Sequence, residues 1–93
     1  MDKNFIRKKT GSVYKLLPMK ENEENWEEQL NYVISDFKGL YQSDILDYSE
    51  NSVLVDIIGK LTSLHDETID FKIYRKIIFD TISLLQGLID DEL

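Results

Sequence analysis

The sequence predicts an all-α protein, a small bundle of three main helices preceded by a short N-terminal element. Three observations carry that prediction. Apolar residues recur at spacings of three and four in each of three stretches after Pro18, which is the period of one helix face. The 93 residues are 42% hydrophobic and 31% charged, the balance of a single globular domain. There is no Cys and one His, which removes disulfide frameworks, thiolate metal sites and multi-histidine zinc centres as alternatives to a packed core.

The N-terminal element has two readings. Phe5 and Ile6 precede Arg7-Lys8-Lys9-Thr10-Gly11-Ser12, which reads as a turn; Val13, Tyr14, Leu16 and Leu17 follow, and Pro18 should stop whatever they form. A short β-hairpin around Lys9–Ser12 is one reading. A helix of one or two turns from Ser12 into Pro18, or an irregular docked arm, is the other, and the lack of strict alternation favours it.

The first main helix is expected from Glu21 to about Tyr41. Trp26, Leu30, Val33, Phe37 and Leu40 form its apolar stripe, widened by Ile34 and Tyr41. Asn22 can cap its start, with Asn25 and Glu28 as a later option; Glu21, Glu23 and Glu24 suit the positive helix end. Gly39 weakens the far end and leaves room for a close backbone approach.

Residues Gln42 to Ser52 are less regular. Ser43 can cap a short helix carrying Ile45, Leu46 and Tyr48, or the first helix can continue through it. Ser49-Glu50-Asn51-Ser52 reads as a break, and Ser52 as the cap of a second helix from about Val53 to Leu64. Its stripe is Leu54, Ile57, Ile58, Leu61 and Leu64.

His65-Asp66-Glu67-Thr68 is the next connection, with Asp66 or Thr68 as cap. The last helix, Ile69 to about Asp90, carries two adjacent apolar rows, Ile73, Ile77, Leu84 and Leu88 in one and Phe71, Tyr74, Ile78, Ile82, Leu85 and Ile89 in the other. Ile77, Leu84 and Leu88 are expected in the core. Between Ile73 and Ile89, ten of seventeen positions are apolar or aromatic, so this helix should be central or should carry a dimer seam. Phe79 lies nearly opposite Ile77 on the helix. Either Phe5, Val13, Leu16 and Leu17 cover that second side, or a symmetry mate does, giving a homodimer through the last helix. Lys72, Arg75, Lys76 and Asp80 are expected in solvent. The chain has no Ala, which sets the helices toward the wide end of the usual ~8–10 Å separation.

Charge divides the chain in two. Residues 1–20 hold six basic residues and one acid, a basic N-terminal segment expected to dock on the body. Residues 21–93, the acidic helical bundle, hold five basic residues and seventeen acids, and the whole carries −7. Such a field repels a phosphate backbone, so nucleic acid is not the expected partner. No apolar run nears the ~18 residues of a membrane span, and the N-terminus lacks a signal-peptide pattern; a cytoplasmic setting follows.

Motifs for chemistry are sparse. Glu23-Glu24-Asn25-Trp26-Glu27 and Glu67-Thr68-Ile69-Asp70 together form an E-E-x-x-E … E-x-x-D pattern. This resembles the MazG-like all-helical nucleotide pyrophosphohydrolases, and the resemblance implies magnesium held by these carboxylates against a nucleoside triphosphate. Helix capping alone also explains acids at Glu23 and Glu24. His65 near a helix C-terminus fits the dipole, and no serine sits in a nucleophile elbow. No catalytic, cofactor-binding or metal-binding residue is therefore assigned, and no cofactor.

The function expected is non-enzymatic: a small helical regulator, inhibitor or immunity-type protein acting by surface contact with a protein partner. Tyr32, Tyr48 and Phe79, off or beside the apolar stripes, are the candidate anchors, with Arg7, Lys8 and Lys9 as a basic arm. Two alternatives stand beside it. One is the metal-dependent nucleotide hydrolase. The other is an acidic mimic of nucleic acid, with Asp44, Asp47, Glu50, Asp56 and Asp90-Asp91-Glu92 imitating a phosphate array to a DNA-binding protein.

Overall fold

The computed structural model describes residues 3–43 and 46–90, so Asp44, Ile45, Asp91 and Glu92 of the expectations above lie outside the described residues. Among these, five helices form and no strand: α1 (Lys3–Tyr14), α2 (Leu16–Glu21), α3 (Trp26–Gln42), α4 (Tyr48–Ser63) and α5 (Phe71–Asp90). The three long helices fall where the apolar period placed them. Their boundaries, and the whole N-terminal element, differ from expectation in instructive ways.

Arg7–Ser12 is not a turn but the middle of α1, so the hairpin reading fails. Ile6, Thr10, Val13 and Leu17 recur at four, three and four, a helix stripe that Gly11 and three successive cations obscure. Ile6 and Val13 are fully buried, which outweighs the modest propensity penalty of a helical glycine. Pro18 stops the chain differently from expectation too. It lies in the first turn of α2, where its missing N–H is tolerated. That missing donor would have served the Tyr14 carbonyl four residues back, and there α1 ends. The two helices are one helical path interrupted one turn before the proline.

The next boundary moves as well. Glu21 closes α2 and is not the start of α3, and Asn22 is the C-cap of α2, not an N-cap. Glu24 N–H donates to the Met19 carbonyl at 2.8 Å and Glu23 N–H to the Lys20 carbonyl at 3.2 Å, the two bonds of a Schellman ending. Glu23 occupies its left-handed position with φ 56°. The sequence has neither Gly nor Asn there to announce it. Asn25 then precedes α3, its amide donating to the Glu28 carboxylate.

Ser49–Ser52 is likewise no break. Asp47 caps α4, accepting from Glu50 N–H at 2.7 Å while Glu50 Oε1 accepts from Asp47 N–H at 3.1 Å. Ser52 is inside the helix, and Ser43 is the C-cap of α3. Asp70, not Asp66 or Thr68, caps α5, accepting from Ile73 N–H at 2.9 Å. Asp66 instead holds the connecting turn, accepting from Thr68 Oγ1 and Thr68 N–H; these bonds keep its carboxyl below the usual carboxylate range.

The core runs through all five helices. Leu30, Val33, Phe37, Leu54, Leu61 and Leu88 are buried as expected, with Ile6, Leu16, Ile57, Tyr74, Ile78 and Leu85. Trp26, Ile58, Ile77 and Leu84, also expected inside, are half-buried and pack on its edge. Gly39 meets no approaching backbone; an added Cβ would find nothing within 4 Å. α5 lies against α1, α2 and α4, and α3 closes the circuit by touching α1, α2 and α4. The N-terminal element thus supplies a fourth wall. Tyr14 meets Phe79 and Leu16 meets Tyr74, so the α1–α2 path runs antiparallel to α5. The Cα radius of gyration is 12.9 Å, close to the ~12 Å of a packed chain this long.

Candidate interaction surface

The helix break before Pro18 borders a groove between α1, α2 and α5. Tyr14 ends α1, Leu17 and Pro18 begin α2, and Phe71, Arg75 and Phe79 present one row of α5 at i, i+4 and i+8 across from them. Glu21 closes the far end. The three rings stay partly in solvent: Tyr14 is 54% exposed, Phe71 38% and Phe79 40%. They are fixed by mutual contact. Tyr14 meets Phe79 edge-on at 6.3 Å, the Arg75 guanidinium lies 5.4 Å from the Phe79 centroid, and Phe71 stacks on Tyr74 at 6.2 Å.

Tyr74 underpins the groove from inside. Its ring is fully buried, also meeting Trp26 edge-on at 5.7 Å, and its hydroxyl donates to the Leu16 carbonyl at 3.4 Å. Burial pushes the phenol pKa up, because the phenolate would have to leave water. The side chain therefore stays neutral and anchors α2 on α5.

The anchors named from the sequence are not neighbours. Phe79 lines the groove just described. Tyr32, 62% exposed, stands over a separate hollow with Met19, Asn25 and Glu28, its hydroxyl donating to Glu28 Oε1 at 3.3 Å. Tyr48, 91% exposed, shares a cleft with Tyr41 and Val55 at the α3–α4 end. Arg7 and Lys8 face solvent on α1. Lys9 is engaged inside the molecule: its ammonium donates to Asp36 of α3 at 2.6 Å and lies 5.3 Å from the Phe5 ring.

The acidic pattern is partly gathered. Glu23, Glu24, Glu27 and Glu67 line one shallow groove with Lys20, whose ammonium sits 4.0 Å from the Trp26 ring. Asp70 is spent on the α5 cap, and Glu23 and Glu24 lie in the Schellman turn and not on α3. Among the described residues no three His, Asp or Glu side chains come together in a way that could hold a metal ion. Nor is any helix there long and apolar enough to cross a membrane.

Tyr14, Phe71 and Arg75 were not singled out from the sequence. Arg75 is expected in solvent and is exposed; Phe71, Arg75 and Phe79 follow one another on a row of α5, and only Tyr14 reaches them through packing between chain segments some sixty residues apart. The one available signal was the angular misfit of Phe79, too far round α5 to share a face with Ile77. Comparison with protein-family models, with curated proteins and with solved structures finds no match to this chain, so the reading of its surface rests on its own geometry.

Proposed function

We propose that this chain is a non-enzymatic helical interaction protein, a regulator, inhibitor or immunity-type protein of the cytoplasm, that docks a macromolecular partner in the α1–α2–α5 groove. One observation carries the reading: Tyr14, Phe71, Phe79 and Arg75 converge from the two ends of the chain and remain accessible. Aromatic and arginine side chains are the residues that dominate binding energy at protein interfaces. Their ring contacts hold them in place before any partner arrives, so little side-chain entropy is lost on docking.

The test is comparative capture. The full chain, a Phe79→Ala/Arg75→Glu variant and a Tyr48→Ala control are immobilised and exposed to the same cell extract. A partner should be retained by the parent and by the control and lost by the double variant, with affinity reduced by roughly thirtyfold or more. A partner bound equally by all three would place the docking surface elsewhere.

A further inference from the structure

Resting on that reading, we infer that the groove takes an acidic segment of another polypeptide, with a bulky apolar side chain seated between Tyr14 and Phe79. The argument is one of charge. In a molecule of net −7, Arg7, Lys8, Lys15, Lys72 and Arg75 pair with no carboxylate among the described residues, while Lys9, Lys60 and Lys76 each do.

Three of those cations flank the groove. Arg7 lies on the same exposed row of α1 as Tyr14, seven residues back, whereas Lys8 and, just past the end of α1, Lys15 stand about 100° further round the helix, away from α5. Lys72, Arg75 and Phe79 stand at i, i+3 and i+7 on α5. Because α1 and α5 are antiparallel neighbours, both rows border one face. That face is positive on a negative body, with an aromatic cleft at its centre. Among the described residues Lys8, Lys15 and Lys38 are the cations without a carboxylate partner away from that face, and Lys20 is held over Trp26.

The same details favour carboxylates over phosphates. Single-stranded nucleic acid needs open ring faces for its bases. Here one face of Phe71 is taken by Tyr74 and one face of Phe79 by Arg75. Glu21 at the end of the groove opposes either anion there, but the acidic remainder of the surface repels a long polyanion more than a short segment. A short segment with alternating carboxylates and one large apolar residue meets the cations, fills the cleft and ends before it reaches the acidic side.

Selection of a phage-displayed random dodecapeptide library on the full chain tests this. Recovered peptides should be rich in Asp and Glu around Phe, Leu or Trp. A labelled recovered peptide, followed by fluorescence anisotropy, should bind roughly tenfold or more weakly to Arg75→Glu and to Phe79→Ala, and unchanged to Tyr48→Ala. Binding should weaken as salt is raised, and replacing the peptide's acids by Lys should restore affinity for Arg75→Glu. Both sites are surface positions, and urea unfolding of each variant verifies an intact fold.

Peptides without acidic excess that still require Phe79 would overturn the inference and leave the docking reading standing. Peptides indifferent to both substitutions would overturn both. Oligothymidylate bound more tightly than any recovered peptide, and lost in Arg75→Glu, would assign the face to nucleic acid. Self-association in sedimentation that Phe79→Ala abolishes would assign the cleft to a second copy of the chain. Either result would overturn the acidic-peptide inference.

Discussion

Glu23 holds its backbone at φ 56°, where an L-residue with a side chain is less stable than glycine by about 1 kcal/mol. Glu23→Gly should therefore raise urea stability by about 1 kcal/mol, and no change would mean that the Schellman turn is not maintained in solution. Tyr74 gives a pH test. Its pKa is raised in the folded state, so its contribution is full below the ordinary phenol value of about 10 and is lost as pH climbs past it. Tyr74→Phe should be less stable at neutral pH by about 0.5–1.5 kcal/mol, for the lost bond to Leu16, and should lose less stability than the parent between neutral and strongly alkaline pH. Parallel pH profiles would deny the phenol that role. At this scale the sequence disclosed Phe79 as an outlier but not its neighbours. A residue's helical angle follows from its position, whereas the company it keeps follows from packing.

Among the elements, what was legible and what was not have separate physical causes. The stripes of α3, α4 and α5 are long enough for the period to dominate, and Phe37, Leu61 and Leu85 lie buried on them. α1 was hidden because Gly11 and the run Arg7-Lys8-Lys9 carry turn-like composition, while its true stripe has a polar member, Thr10, whose hydroxyl donates to the Ile6 carbonyl. The start of α4 was misplaced for another reason. Ser52 and Asp47 are both good caps, but only Asp47 has Glu three residues on, and that reciprocal pair decides the boundary. Asp47→Ala should accordingly lower stability by about 1 kcal/mol in urea unfolding. An equal loss in Ser52→Ala with none in Asp47→Ala would put the start of the helix where the sequence alone suggested it.

For the whole molecule, the division into a basic N-terminus and an acidic remainder invites an electrostatic account of how the two are joined. The structure assigns that work elsewhere. Among the described residues Lys9–Asp36 is the single ion pair between α1 and the rest, and both side chains keep part of their solvent, which limits it to a fraction of a kcal/mol up to about 1 kcal/mol. Ile6, Val13 and Leu16 are buried completely, each contributing about 1.5–3 kcal/mol. Deleting residues 1–17 should therefore lower stability by several kcal/mol and promote self-association through the uncovered side of α5. Sedimentation together with urea unfolding measures both. A truncated chain as stable and as dispersed as the parent would show that the N-terminal helices cover nothing.

The antiparallel pairing of α1–α2 with α5 also fixes an order of events during synthesis. α1 leaves the ribosome before α5, the helix that completes its burial, and contacts such as Leu16–Tyr74 span 58 residues of chain. Closing so long a loop must wait for its distant end, whereas α3 and α4 can pair as soon as both have emerged. Until α5 follows, Ile6, Val13 and Leu16 stand bare on a strongly cationic helix. The nascent chain thus passes through a stage in which α1 is both greasy and positive, a combination that chaperones and membrane surfaces bind, and the arrival of α5 ends it.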